Sequence, residues 1–288
     1  MNAPILSESF AALAPRYDAV LSDVWGVIHN GLTAFPEASD ALTRFRQKGG
    51  AVTLISNAPR PGDQVIHMLD RMGVPRSAYD AIVTSGDVSR DYVGKHPGEP
   101  VLLIGPERDH TIFTGLDSPF VELKDARYVV CTGLYDDEVE TPADYEDLLG
   151  KIRARNLFML CANPDIVVER GDKLVYCAGA LADRYKELGG EVYYAGKPHR
   201  PLYDLALAEV ARAKGGATPS LDRVLAIGDS VRTDLTGAIN LGVDCLFLTA
   251  GIHAEELGNR DDPNLDALAS MFAKAGHMPK VVARRLAW

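Results

Sequence analysis

The chain lacks most of what marks a membrane, secreted or zinc-held protein. Only four of its 288 residues are cysteine, Cys131, Cys161, Cys177 and Cys245, and no two form a CxxC pair. That spacing excludes a zinc ribbon and implies no disulfide framework, so a reduced cytoplasm is the expected location. The seven histidines are dispersed, with no HxxxH pair. No apolar run approaches the roughly 18–20 residues that a membrane span needs. The opening MNAPILSESFAALAPRYD has neither a basic start nor a long apolar core, and so does not read as a secretory signal. Basic excess is missing too. Thirty Lys and Arg face forty Asp and Glu, for a net charge of −10. Without a long Lys/Arg block, nucleic acid and anionic membrane are not expected partners. There is no internal repeat, low-complexity tract or Pro/Ser-rich linker.

What is present is a globular composition, 47% hydrophobic and 24% charged, enough for one large domain or two modest ones. Apolar runs alternate with helical spacings. Val20 and Leu21 lead into Asp23. Ala38, Leu42 and Phe45 then recur at helical spacing up to Gly49–Gly50. AVTLISN (51–57) reads as a strand, Val65, Ile66, Leu69 and Met72 as a helix, and AIVTSG (81–86) as a strand. Strand–helix–strand with short connections predicts an α/β class with a parallel sheet flanked by helices. The middle has strands of its own in VLLIG, YVVCTG, LFMLCA and EVYYAG, and helices near Tyr145–Ile152 and Ala180–Leu188. After Lys197 the first rhythm resumes with a helix from Pro201, then VLAIGD, a helix around Asp234–Leu241, and CLFLTAG. The expectation is a Rossmann-like core, residues 1–96 and 193–288, interrupted by an inserted α/β cap, residues 97–192.

Four strand ends carry polar groups: Asp23, Ser56–Asn57, Thr84–Ser85 and Asp229. In open parallel sheets ligands bind at the carboxyl ends of strands, so these groups can converge. Singly, each has a plainer reading. Asp at a strand end caps or turns, Ser56–Asn57 caps the next helix, and GDSVRTD is a turn with Thr233 as N-cap and Asp234 favoured by the helix dipole. His199, Arg200, Arg60 and Arg232 read as solvated charge, and His253 as part of a loop. The tail to Trp288 carries no readable motif.

Taken together and in order, the segments resemble the haloacid dehalogenase superfamily, and within it subclass IIA, the nitrophenylphosphatase-like hydrolases with an α/β cap. DVWGVIHNG (23–31) resembles the first motif except at Trp25, where the family's phosphatases carry a second aspartate. SNA (56–58), GKP (196–198) and GDSVRTDLTGA (228–238) resemble the other three. TSGDVSRDYV (84–93) resembles the segment before the cap, and ANPD (162–165) a loop of the cap itself. The resemblance implies that Asp23 is the nucleophile on phosphorus and forms an aspartyl-phosphate. It implies Mg²⁺ held by Asp23, the Trp25 backbone carbonyl and Asp229, with Asp234 behind them. Lys197 would be the cation facing Asp23 and phosphate, Ser56 and Asn57 phosphate contacts, and Asn163 and Asp165 cap contacts, although NPD also reads as an Asx turn. The implied substrate is a small phosphorylated metabolite, and pairing through the cap makes a homodimer an open expectation.

Trp25 leaves three alternatives. A backbone carbonyl survives any substitution, but the carboxyl that in the family's phosphatases protonates the leaving oxygen and then activates water does not, and an indole replaces neither role. The chain is then a phosphatase suited to good leaving groups or using another acid/base, with His29 and Glu37 nearby in sequence. Otherwise it is a phosphate-ligand binder with little turnover, or a hydrolase of a different bond. The Trp25 ring itself either stacks on substrate or fills space.

Overall fold

The computed structural model describes residues 9–170, 173–260 and 262–288. The first eight residues, part of the stretch read as no secretory signal, lie outside the described residues. The strands are β1 Ala19–Asp23, β2 Ala51–Ser56, β3 Ala81–Thr84, β4 Val101–Ile104, β5 Tyr128–Cys131 and β6 Phe158–Cys161. They continue with β7 Val167–Arg170, β8 Lys173–Tyr176, β9 Val192–Tyr194, β10 Val224–Gly228, β11 Asp244–Leu248 and β12 Val281–Ala283. The α-helices are α1 Pro36–Gln47, α2 Gly62–Arg71, α3 Ser85–Gly94, α4 Glu146–Ala154, α5 Ala178–Glu187, α6 Arg200–Ala213, α7 Thr236–Leu241 and α8 Leu265–Ala275. Among the described residues no helix is long and apolar enough to cross a membrane. The chain divides into two compact units, residues 1–56, 66–83 and 203–288 in the first, and 57–65 and 84–202 in the second.

The first unit is built on a six-stranded sheet in the order β12-β11-β10-β1-β2-β3. The registered pairs among β12, β11, β10, β1 and β2 are all parallel. Every residue of β1, β2 and β10 is buried, which is why these strands read as unbroken apolar runs rather than alternating ones. Helix α1 buries Ala38, Leu42 and Phe45, the same positions whose spacing predicts it. Asn264 caps α8 by accepting the Asp266 and Ala267 N–H groups, and Phe272 of α8 meets Phe247 of β11 edge-on with centroids 5.1 Å apart. The tail, silent as sequence, adds the edge strand β12. Beyond it Trp288 packs on Phe10, whose N–H donates to the Ala287 carbonyl.

The second unit holds a parallel sheet, β4-β5-β6-β9, and an antiparallel hairpin, β7–β8. Leu149 and Ile152 of α4 and Leu181 and Tyr185 of α5 share one apolar core with Val129 and Met159 of the sheet. This unit is wider than the 97–192 insertion expected from sequence. Helix α3 packs on the 3-10 turn Glu107–Phe113, with Arg90 Nη1 donating to the Ile112 carbonyl at 3.0 Å, and that packing brings residues 84–94 into it. The strand expected over 81–86 also stops at Thr84. Thr84 and Asp87 form a reciprocal capping box, so Ser85 and Gly86 are the first turn of α3.

Candidate active site

Strand register sets the site. Asp23 pairs with Ile55 across β1–β2, and Ser22 pairs with Ile227 across β1–β10. Asp23, Ser56 and Asp229 therefore stand at one level, at the carboxyl ends of three adjacent strands. Asp234 joins them because the chain after β10 makes a single wide π-type turn, Val231–Leu235, before α7. Ser230, not Thr233, is the cap of that turn. Its hydroxyl accepts the Thr233 N–H at 3.3 Å, since a residue three positions ahead of an N–H is where a capping oxygen reaches.

The carboxylates of Asp23, Asp229 and Asp234 each offer an oxygen within 4.8 Å of the others. All three residues are buried, at 7%, 4% and 2% exposure. Backbone donors orient each one. The Val24 N–H donates to Asp23 Oδ1 at 2.7 Å, the Ile252 N–H to Asp229 Oδ2 at 2.7 Å, and the Ser230 N–H to Asp234 Oδ2 at 3.1 Å. Glycines make room. Gly26 has φ +80°, and a Cβ on Gly26 or on Gly251 would overlap the Asp229 carboxylate. Two like charges at this spacing repel by about 3–4 kcal/mol at an effective dielectric of about 20. Such an all-oxygen, acidic cradle fits a hard divalent cation such as Mg²⁺.

Trp25 is half-buried and does not stand alone. Its ring meets the imidazole of His29 edge-to-face, with centroids 5.0 Å apart, and its far edge rests where a side chain on Gly31 would sit. The loop is closed by the Gly26 N–H to the His29 carbonyl at 2.8 Å and the Phe35 N–H to the Ile28 carbonyl at 2.7 Å. The indole thus packs against its own loop. His29 is fully buried; its Nδ1 accepts the Gly31 N–H at 2.8 Å, which places the proton on Nε2. Nε2 has no hydrogen-bond partner among the described residues. Burial lowers the His29 pKa to about 4, so at neutral pH this imidazole is no proton donor of useful strength. Glu37 lies exposed in the first turn of α1.

The lowered His29 pKa has a sign that can be measured. The unfolded chain, with an ordinary imidazole pKa near 6.5, binds a proton that the folded chain refuses until about pH 4. Stability is therefore full above the unfolded value and falls as pH drops from about 6.5 toward 4. Between pH 8 and pH 5 we expect His29 to cost the wild type about 2 kcal/mol. His29→Gln, which cannot titrate, should flatten that part of the urea-denaturation profile. An equal slope in both proteins would refute the assignment.

In the second unit, Asn57 does not cap a helix. Its side chain brackets the backbone of Lys197, with Oδ1 accepting the Lys197 N–H at 2.7 Å and Nδ2 donating to the Lys197 carbonyl at 3.2 Å. Nδ2 also donates to Asp165 Oδ1 at 3.0 Å. Asn163 Oδ1 accepts the Asp165 N–H at 3.2 Å, the Asx turn that NPD predicts. Lys197 precedes a cis-proline, Pro198, and is only 2% exposed, and a buried ammonium is stable only in anionic company. His253 is the functional candidate that the sequence reading passed over. Its Nε2 accepts the Val231 N–H at 3.3 Å, beside Asp229 and Asp234. The only sequence signal was its place just after an apolar strand, Asp244–Leu248.

Known proteins of this kind resemble the chain over nearly its full length. A family profile described as haloacid dehalogenase-like hydrolase matches residues 20–118, and a second, HAD-hydrolase-like, matches residues 194–275. An acid sugar phosphatase of Staphylococcus epidermidis is 26% identical over 258 residues, covering 86% of this chain and 93% of the relative. A p-nitrophenyl phosphatase from Archaeoglobus fulgidus shares the fold, with a TM-score of 0.70 at 18% identity over 93% of this chain and 96% of that one. The crystal structure of a haloacid dehalogenase-like hydrolase from Brucella suis 1330 superposes with a TM-score of 0.86 at 46% identity, covering 97% of this chain and 99% of that one. With its parallel sheet, its acidic cluster at the strand ends and this likeness, the chain belongs to the haloacid dehalogenase-like hydrolase family.

Proposed function

We propose that the protein is a Mg²⁺-dependent phosphatase that hydrolyses the monoester of a small phosphorylated metabolite through Asp23. The observation that carries this reading is the meeting of Asp23, Asp229 and Asp234 within 4.8 Å at the ends of adjacent strands. Relatives named as sugar and nitrophenyl phosphatases support it. Asp23, Asp229 and the Trp25 carbonyl would hold the cation, with Asp234 fixing the loop behind them. When bound, Mg²⁺ would offset the negative charge that accumulates as a carboxylate nears a phosphate dianion.

In this reading an Asp23 oxygen attacks phosphorus and the bond to the leaving oxygen breaks. The leaving oxygen takes its proton from water, because no carboxyl stands at position 25. A water then attacks the phosphorus of the aspartyl-phosphate, the bond to Asp23 breaks, and phosphate leaves with the carboxylate restored. The proton released by that water balances the one taken by the leaving group. Lys197 takes the role of the cation for phosphate. Ser56 and the backbone at Asn57 take the role of its hydrogen-bond donors. Asn163 and Asp165 are assigned to substrate selection, alongside their part in the turn.

The missing acid gives this proposal a measurable signature. General acid help is typically worth about 10²–10⁴-fold, and it matters most for poor leaving groups. Phosphate release should therefore be fast with p-nitrophenyl phosphate and fall steeply along a series of alkyl and sugar phosphates of rising leaving-group pKa. Chelation with EDTA should abolish it, and added Mg²⁺ should restore it. A rate indifferent to leaving-group pKa would mean that another group supplies the proton. No release from any ester, with phosphate still binding, would turn the reading to a phosphate-binding protein.

A further inference from the structure

A short segment that follows β11 holds the loop that carries Asp229 and Asp234 at two points. The Ile252 N–H donates to Asp229 Oδ2 at 2.7 Å, and the next residue, His253, accepts the Val231 N–H on Nε2 at 3.3 Å. Two adjacent residues thus grip the loop at two points, a carboxylate and a backbone amide two positions on. Close approach is built in, since any side chain at Gly251 would overlap the Asp229 carboxylate.

The imidazole is itself held. An Nε2 that accepts must carry no proton, so the proton sits on Nδ1, and Nδ1 lies 3.0 Å from Glu256 Oε2. A hydrogen bond on one ring nitrogen fixes the role of the other. Phe247 lies alongside, with ring centroids 6.2 Å apart. The chain Glu256, His253, Val231 therefore runs from an exposed carboxylate to the acidic cluster. Inside the loop the amides of Ser230 and Thr233 are taken by Asp234 and the Ser230 hydroxyl, and His253 supplies an external anchor for the Val231 amide, one of the two between them.

We infer that His253 is a positioning residue: by holding the Val231 amide it sets the spacing of Asp229 and Asp234 and so tunes their affinity for a divalent cation. This rests on the Mg²⁺ reading above, and the test separates the two. Three variants are compared with the wild type. His253→Phe keeps the ring but loses the acceptor. His253→Gln keeps an acceptor at the reach of Nε2. Glu256→Ala frees the tautomer from a side chain that is 57% exposed and carries little folding risk. The first readout needs no metal: exchange of the Val231 amide with solvent, which should quicken about tenfold in His253→Phe and stay near wild type in His253→Gln. The second is Mg²⁺ binding by calorimetry. Outer-shell partners typically carry 10–100-fold in metal affinity, so we expect about tenfold weaker binding in His253→Phe, near-wild-type binding in His253→Gln and an intermediate loss in Glu256→Ala. KM at saturating Mg²⁺ should not move. Unchanged Val231 exchange in both His253→Phe and Glu256→Ala overturns the inference whatever the metal does, as does a His253→Gln variant as weak as His253→Phe. If Val231 exchange responds as expected but the wild type binds no Mg²⁺, the metal reading fails while the anchor stands.

Discussion

Asp23→Asn should stop phosphate release, by about 10⁴-fold or more, as loss of a nucleophile does elsewhere. The substitution is nearly isosteric, and the amide oxygen can still accept the Val24 N–H that now binds Asp23 Oδ1. The fold should therefore survive. Removing one of three mutually close buried carboxylates also relieves repulsion, so in EDTA the variant should melt at or above the wild-type temperature while losing the rise that Mg²⁺ is expected to give the wild type under the proposed function. The two results belong together: lost turnover with gained apo stability marks a charge kept for chemistry rather than for folding. A variant that retains a tenth of the rate would remove Asp23 from the nucleophile's role, and a destabilised one would recast it as a structural acid.

The second large effect is expected at a residue with no side chain. Gly26 sits at φ +80°, and a Cβ there would run into the Asp229 carboxylate. An alanine in that left-handed region costs about 1–2 kcal/mol. Turning the carboxylate aside also breaks its bond from the Ile252 N–H, and a hydrogen bond to a charged group is worth about 1.5–3 kcal/mol. Gly26→Ala should lose roughly 3–4 kcal/mol in stability, a fall of about 10 °C in melting temperature, together with most of its Mg²⁺ affinity. Gly49→Ala is the control, because Gly49 has φ +89° with nothing within 4 Å of a built Cβ. It should show the backbone cost alone. If both variants melt alike, the loop at Gly26 yields and the collision is not a constraint.

The parts of this architecture that depend on local rules are visible in the sequence. Fully buried parallel strands must be apolar throughout, so β1, β2 and β10 stand out, and α1 follows from Ala38, Leu42 and Phe45. The ends of those strands, Asp23, Ser56 and Asp229, are legible because a parallel sheet has one carboxyl edge. The extent of the second unit is not, because it depends on α3 packing against the 107–113 turn. The hairpin β7–β8 and the edge strand β12 are short, and β12 gains its identity only from its neighbour β11. Ser230 competes with Thr233 for the same capping role, and only the wide turn decides between them. His253 and His29 are opaque for the same reason. Each is defined by a partner, Val231 or Trp25, whose position a linear pattern does not give. Trp25 reads as an anomaly while it is compared with an aspartate, and as a packed residue once Gly31 and His29 are beside it.

The strand order has a consequence for how this protein comes to be. Asp23 and Asp229 sit on neighbouring strands, β1 and β10, yet most of the polypeptide lies between them. A chain emerging from the ribosome has made β1, β2 and β3 long before β10 exists, and through that interval Asp23 lacks the acidic neighbours that complete the cluster. The docking of β10 is a late, long-range closure of the kind that slows folding. Fragments released before that closure would carry Asp23 without Asp229 and Asp234, and so could not assemble the acidic cluster.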